Sequence, residues 1–163
     1  MKRVSKLDEY LFDLNGYLII ENALNKKELK DLNKILDNLK NLKNKEWAGH
    51  VHGHNYGGKE GLNLQQIYEA GKPFENLIDH PSWINHMQHF VGGRGTFDQL
   101  HGPLFIDENF ANIRGPGEAI GIHSGNPEGL QRNHYRYQDG KFHCSQVNIL
   151  LALTDIGPGD GGT

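Results

Sequence analysis

The sequence predicts an α+β protein in which a helical layer packs outside a β-sandwich or jelly roll. Three observations carry that expectation. Near the N-terminus, two segments repeat apolar residues at helical spacing behind capping residues. From Thr96 onward the chain changes to short apolar runs punctuated by Gly, Pro and Asp. Phe142 to Asp155 then forms the clearest strand, closed by the turn cluster Gly157-Pro158-Gly159-Asp160-Gly161-Gly162. Helices first and strands afterwards is the order of a helical layer laid against a sheet.

The elements follow in order. Ser5 reads as an N-cap with Asp8 at N3, and Leu7, Tyr10, Leu11 and Leu14 share one helical stripe until Asn15-Gly16 stops it. A helix over 5–14 is expected. Tyr17 to Ile20 reads as a short buried strand. Asn25-Lys26-Lys27-Glu28 is an Asn version of the capping box, and Leu29, Leu32, Ile35, Leu36, Leu39 and Leu42 predict an amphipathic helix over 26–42 whose apolar stripe is core. Residues 47–66 read as irregular, with His50, His52 and His54 two apart. Two short helical pieces, 74–78 and 81–91, flank a turn at Asp79-His80-Pro81. Strands are then expected at 97–100, 104–106 and 119–122, with turns at Asp107-Glu108-Asn109 and Arg114-Gly115-Pro116-Gly117.

Composition narrows the class. The chain has 163 residues, 36% hydrophobic and 23% charged, which fits a single domain over 1–163 without repeats or low-complexity tracts. Its net charge of -3 gives no basic excess for a nucleic acid or an anionic membrane. No run approaches the 18 apolar residues of a membrane span, so neither nucleic acid nor membrane is an expected partner. The one cysteine, Cys144, cannot pair within the chain and suits a reducing, cytoplasmic setting. Oligomeric state is not legible.

Polar residues gather around the predicted strands. His123 follows the apolar run Ala119 to Ile122. Along the long strand, Gln146 and Asn148 alternate with the aliphatic face, as the lining of a polar cavity would. Arg114, Tyr135, Tyr137 and His143 lie near the same presumed pocket. His50, His52 and His54 project from one side of an extended chain, which offers imidazoles to zinc without a Cys or carboxylate to complete a site. Asp155 and Asp160 read as turn residues, and Cys144 as a buried thiol.

Residues 10–24, Tyr-Leu-Phe-Asp-Leu-Asn-Gly-Tyr-Leu-Ile-Ile-Glu-Asn-Ala-Leu, with the charged helix after them, resemble the opening of the phytanoyl-CoA dioxygenase family. Leu153-Thr154-Asp155-Ile156 with Gly159-Asp160-Gly161-Gly162 resembles the turn that leads, in that family, into a Pro-Gly-Ser-His element. The resemblance covers Leu7 to Thr163. It implies a double-stranded β-helix, a cupin-like jelly roll, and a non-haem Fe(II) oxygenase that consumes 2-oxoglutarate and hydroxylates a small organic substrate.

The resemblance also implies roles for residues. Such enzymes hold Fe(II) with two His and one carboxylate, the first two arranged as His-X-Asp at a strand end. The matching triplet is His123-Ser124-Gly125, so His123 is the implied iron ligand and Gly125 stands where the carboxylate is expected. A Gly there resembles the iron halogenases, in which a halide fills the vacated position. Glu128 and Asp107 are the nearest carboxylates by sequence, and His143 is a second candidate donor. Gln146 and Asn148 are assigned to 2-oxoglutarate, and Arg114, Tyr135 and His143 to the substrate pocket. The family's distal His and its 2-oxoglutarate-binding Arg lie beyond the Gly-Gly turn, so the chain is expected to be a C-terminally truncated member. Two other readings stay open: a non-catalytic β-sandwich binding module, and a zinc-binding structural protein.

Overall fold

A computed structural model describes residues 3–91, 102–121, 123 and 135–160, the side chains of 135–138 and 141–143 excepted. Helices and antiparallel strands are both present, as an α+β chain requires. Two compact units divide the chain: one comprises Met1–Ala23, Asp79–Phe105 and His123–Ile149, the other Leu24–Ile78, Ile106–Ile122 and Leu150–Thr163.

The second unit is built on helix α2 (Lys26–Leu39) and a four-stranded sheet. Asn25 caps α2 by accepting from the backbone N–H of Lys27 at 2.9 Å and of Glu28 at 3.0 Å, while Glu28 accepts from the Asn25 N–H at 2.7 Å. That reciprocal box satisfies donors the first turn would otherwise leave bare. Strands β1 (Trp47–Ala48), β2 (Val51–His54), β3 (Leu62–Gln65) and β4 (Phe110–Ile113) pair antiparallel in sequence order. Leu32 of α2, Val51, Leu64, Ile67 and Phe74 form one buried cluster, with Ile35, Leu36, Ala111 and Ile113 packed against it. Burying Leu32, Val51 and Leu64 stabilises the unit by about 1.5–3 kcal/mol each.

Register decides which face meets that core. Gly53 pairs with Leu64, and Leu64 with Ala111, so Val51, Gly53, Leu62, Leu64, Ala111 and Ile113 share the core face. The alternate residues necessarily take the other face. A 3-10 turn (Ile67–Ala70) and helix α3 (Lys72–Glu75) complete the core through Ile67 and Phe74.

In the first unit, Ser5 and Asp8 cap helix α1 (Lys6–Asn15) reciprocally, and Gly16 ends it at φ 77°. Phe12 stacks on Phe90 of helix α4 (Ile84–Phe90) at 4.1 Å, Glu9 approaches His89 at 3.8 Å, and His80 stacks on Trp83 at 4.4 Å. The Ser82 hydroxyl donates to the Ala23 carbonyl at 2.7 Å. Strands β5 (Tyr135–Gln138) and β6 (Lys141–Cys144) form a hairpin around Asp139-Gly140, both at positive φ, as a two-residue turn demands. Among the described residues, no helix is long and apolar enough to cross a membrane.

Several expectations change. Helix α2 ends at Leu39 rather than 42. The stretch read as irregular, 47–66, holds three of the four sheet strands, and β4 occupies residues given no element. Tyr17–Ile20, 104–106 and the described part of 119–122 are not strands; Ile19 is 78% exposed, because a short apolar run has no strand character without a partner to pair with. The long strand is cut to Lys141–Cys144: Ser145 bends the chain, and 146–153 pair with no strand among the described residues. The predicted strand 97–100 lies outside the described residues.

Candidate functional site

One face of the four-stranded sheet is polar and aromatic while the other is core. Strand β2 sends Val51 and Gly53 inward and keeps His52 and His54 on the opposite side, where register sets His52 beside Gln65 and His54 beside Asn63. Asn63 and Gln65 in turn stand beside Asn112 and Phe110. The rings follow one another along this face: Trp47 to His52 at 4.6 Å, His52 to His54 at 6.3 Å, His54 to Tyr56 at 4.3 Å. The Gln65 amide nitrogen donates to the Tyr56 oxygen at 2.8 Å and to Asn63 Oδ1 at 2.9 Å. Asn63 is only 6% exposed, and its oxygen is satisfied by this bond, as a buried amide needs.

Arg114 lies just past β4 in the same unit, exposed, its Nε donating to the Glu60 carbonyl at 3.4 Å. A Cβ on Gly61 would meet the Ile113 carbonyl at 2.5 Å and the Arg114 Cγ at 3.1 Å. Gly61 therefore lets the arginine stem pass close over the backbone, and its φ of 80° favours Gly as well. Asp107 is exposed in this unit too.

The other predicted site residues belong to the first unit. His123 is exposed. Gln146 is half-buried and Asn148 exposed, in the extended segment after β6. Tyr135 and His143 lie on the hairpin, where Tyr135 pairs with Cys144 and Arg136 with His143. The Cys144 thiol donates to the Gln146 carbonyl at 3.0 Å, and burial pushes its pKa up against the smaller opposing effect of that bond. Gly125 and Glu128 lie outside the described residues.

Among the described residues, no three His, Cys, Asp or Glu side chains come together as a metal-binding group. His50 falls in the turn between β1 and β2, which takes it off the ladder that holds His52 and His54. The zinc triad is therefore not assembled. His123 likewise belongs to no such group of three among the described residues, so these residues alone do not fit an iron centre and no step is routed through one.

Sequence reasoning missed the face of the sheet. Its signal was the period-two alternation of Val51-His52-Gly53-His54 and Leu62-Asn63-Leu64-Gln65, masked by the glycines around it.

The phytanoyl-CoA dioxygenase family model matches residues 12–163. No curated protein and no solved structure matches the chain. With almost the whole length matched, the chain belongs to the phytanoyl-CoA dioxygenase family.

Proposed function

We propose that this protein is a non-haem oxygenase that uses Fe(II) and 2-oxoglutarate to hydroxylate a small organic substrate on a jelly-roll scaffold formed by a single domain. The family match over residues 12–163 carries the reading, since family members use Fe(II) and 2-oxoglutarate. Iron, once bound, would supply oxygen activation, and the chain's part would be to bind and orient the reactants. His123 is the assigned iron ligand, Gln146 and Asn148 serve 2-oxoglutarate, and Arg114, Tyr135 and His143 serve the substrate.

A second reading has one specific observation in its favour. Gly125 replaces the carboxylate of the His-X-Asp pattern, which suits a binding module that has lost iron.

Anaerobic Fe(II) titration with 2-oxoglutarate separates the two. The oxygenase reading expects a visible charge-transfer band in the parent chain that disappears in His123→Ala. A folded chain that gives no band, or one that survives the substitution, overturns His123 as a ligand.

A further inference from the structure

We propose that the polar and aromatic face of the four-stranded sheet binds a neutral ring carrying several hydroxyl groups, a pyranose or a cyclitol. This gives the oxygenase reading a substrate class, and rests on that reading only in calling the bound ring a substrate.

The inventory of the face points to such a ring. Trp47 and Tyr56 are 62% and 54% exposed at opposite ends of the ring series, with His52 and His54 between them. Flat side chains of this kind accept the C–H face of a saturated ring while offering polar edges. Hydrogen bonding is directed as well. The Gln65 nitrogen spends both its hydrogens on Tyr56 and Asn63. That leaves Gln65 Oε1 to accept and the Tyr56 O–H to donate, one acceptor and one donor held side by side by the bond between Gln65 on β3 and Tyr56 just past the end of β2. A hydroxyl both donates and accepts, so two neighbouring hydroxyls answer this pair.

Other ligand classes fit less well. The register positions of β2, β3 and β4 on this face are His52, His54, Asn63, Gln65, Phe110 and Asn112, with no Lys or Arg to neutralise a phosphate or carboxylate and no acid to hold a cation. An acyl chain asks for a continuous aliphatic groove, and here the amides interrupt every rung.

Two imidazoles on one strand also invite a metal, but no third donor joins them among the described residues. The polar and aromatic mixture then acts as a recognition surface, with few polar groups fixing orientation and rings supplying contact area.

Saturation-transfer NMR on the full chain, dialysed against EDTA to remove iron and with no 2-oxoglutarate added, tests this. The probes are methyl β-D-glucopyranoside and myo-inositol, with hexanoate as the apolar acid. Saturation of the ring C–H protons of a hydroxylated probe is expected. Trp47→Ala should weaken that binding about tenfold, the order of one lost ring contact. Gln65→Met keeps the side-chain length, removes the acceptor and should weaken it similarly; near-UV circular dichroism verifies that each variant is folded.

Absence of transfer to both hydroxylated probes, transfer to hexanoate alone, or binding unchanged in a folded variant overturns the proposal. Because iron and 2-oxoglutarate are absent, failure of the charge-transfer experiment leaves this readout standing, and the reverse holds equally.

Discussion

The side-chain amide of Asn33 in α2 donates to the Leu153 carbonyl at 2.6 Å, across 120 residues of chain, and to the Leu29 carbonyl at 3.1 Å. Both hydrogens of one half-buried nitrogen are used. The bond ties the chain at Leu153 to the helix that backs the sheet, within the second unit, and Leu153 packs against the buried cluster there.

Asn33→Ala should therefore lower stability by about 1–3 kcal/mol, since the Leu153 carbonyl loses a partner in a partly buried place. Asn33→Asp should cost more, because a carboxylate sets negative charge against two carbonyl oxygens. Urea unfolding followed by circular dichroism reads both; an Asp variant as stable as the parent would show that the contact is not formed in solution.

The helices were legible and most strands were not, for the same physical reason. Caps are local: Ser5 with Asp8, and Asn25 with Glu28, lie three residues apart and announce α1 and α2 in the sequence itself. A strand is defined by a neighbour, and the neighbour of Leu64 is Ala111, 47 positions away by the arithmetic of their numbers. Tyr17–Ile20 had the composition without the partner. Lys141–Cys144 had both, but its ladder stops where its partner β5 ends.

The candidate site divides along the same line. His123 stands out in the sequence only through the resemblance of His123-Ser124-Gly125 to the family's His-X-Asp pattern. The face bearing His52 and Gln65 was hidden, because nothing local says which side of a four-residue strand an α-helix will cover.

Cys144 gives a prediction in pH. Burial raises its pKa, so less thiolate is present near pH 8 than in a free cysteine, and alkylation follows the thiolate. Iodoacetamide should react more slowly with the folded chain than with the urea-unfolded chain at pH 8, the difference narrowing at higher pH. The linkage has a definite sign. A raised folded pKa means that the native state binds the proton more tightly, so this contribution is full below the unfolded pKa and is lost as pH rises through the folded one. Cys144→Ser should remove that alkaline slope; equal alkylation rates in folded and unfolded chains would contradict the burial.

Gly53 between His52 and His54 yields the last prediction. On the core face a Cβ at this position would run into the Lys43 carbonyl, and the Leu62 Cδ1 lies 3.4 Å away. The backbone cannot move aside freely: the Gly53 N–H donates to the Glu46 carbonyl at 2.9 Å, and the Gly53 carbonyl accepts from Lys45 at 2.8 Å. The His-Gly-His pattern is thus a strand whose inward side has room for hydrogen only, while its outward side carries the rings. Gly53→Ala should destabilise by about 1–3 kcal/mol through overpacking. A loss of that size lowers Tm by about 2–4 °C per kcal/mol in a chain of this length. Gly49→Ala is the contrast, because its Cβ meets nothing within 4 Å and only its φ of 64° opposes a side chain. That variant should lose about 1–2 kcal/mol through backbone strain without disturbing the pairing of β2 with β3. Hydrogen exchange separates the two mechanisms: the His52 and His54 amides should lose more protection in Gly53→Ala than in Gly49→Ala at matched stability, and equal loss would mean that Lys43 yields to the added carbon.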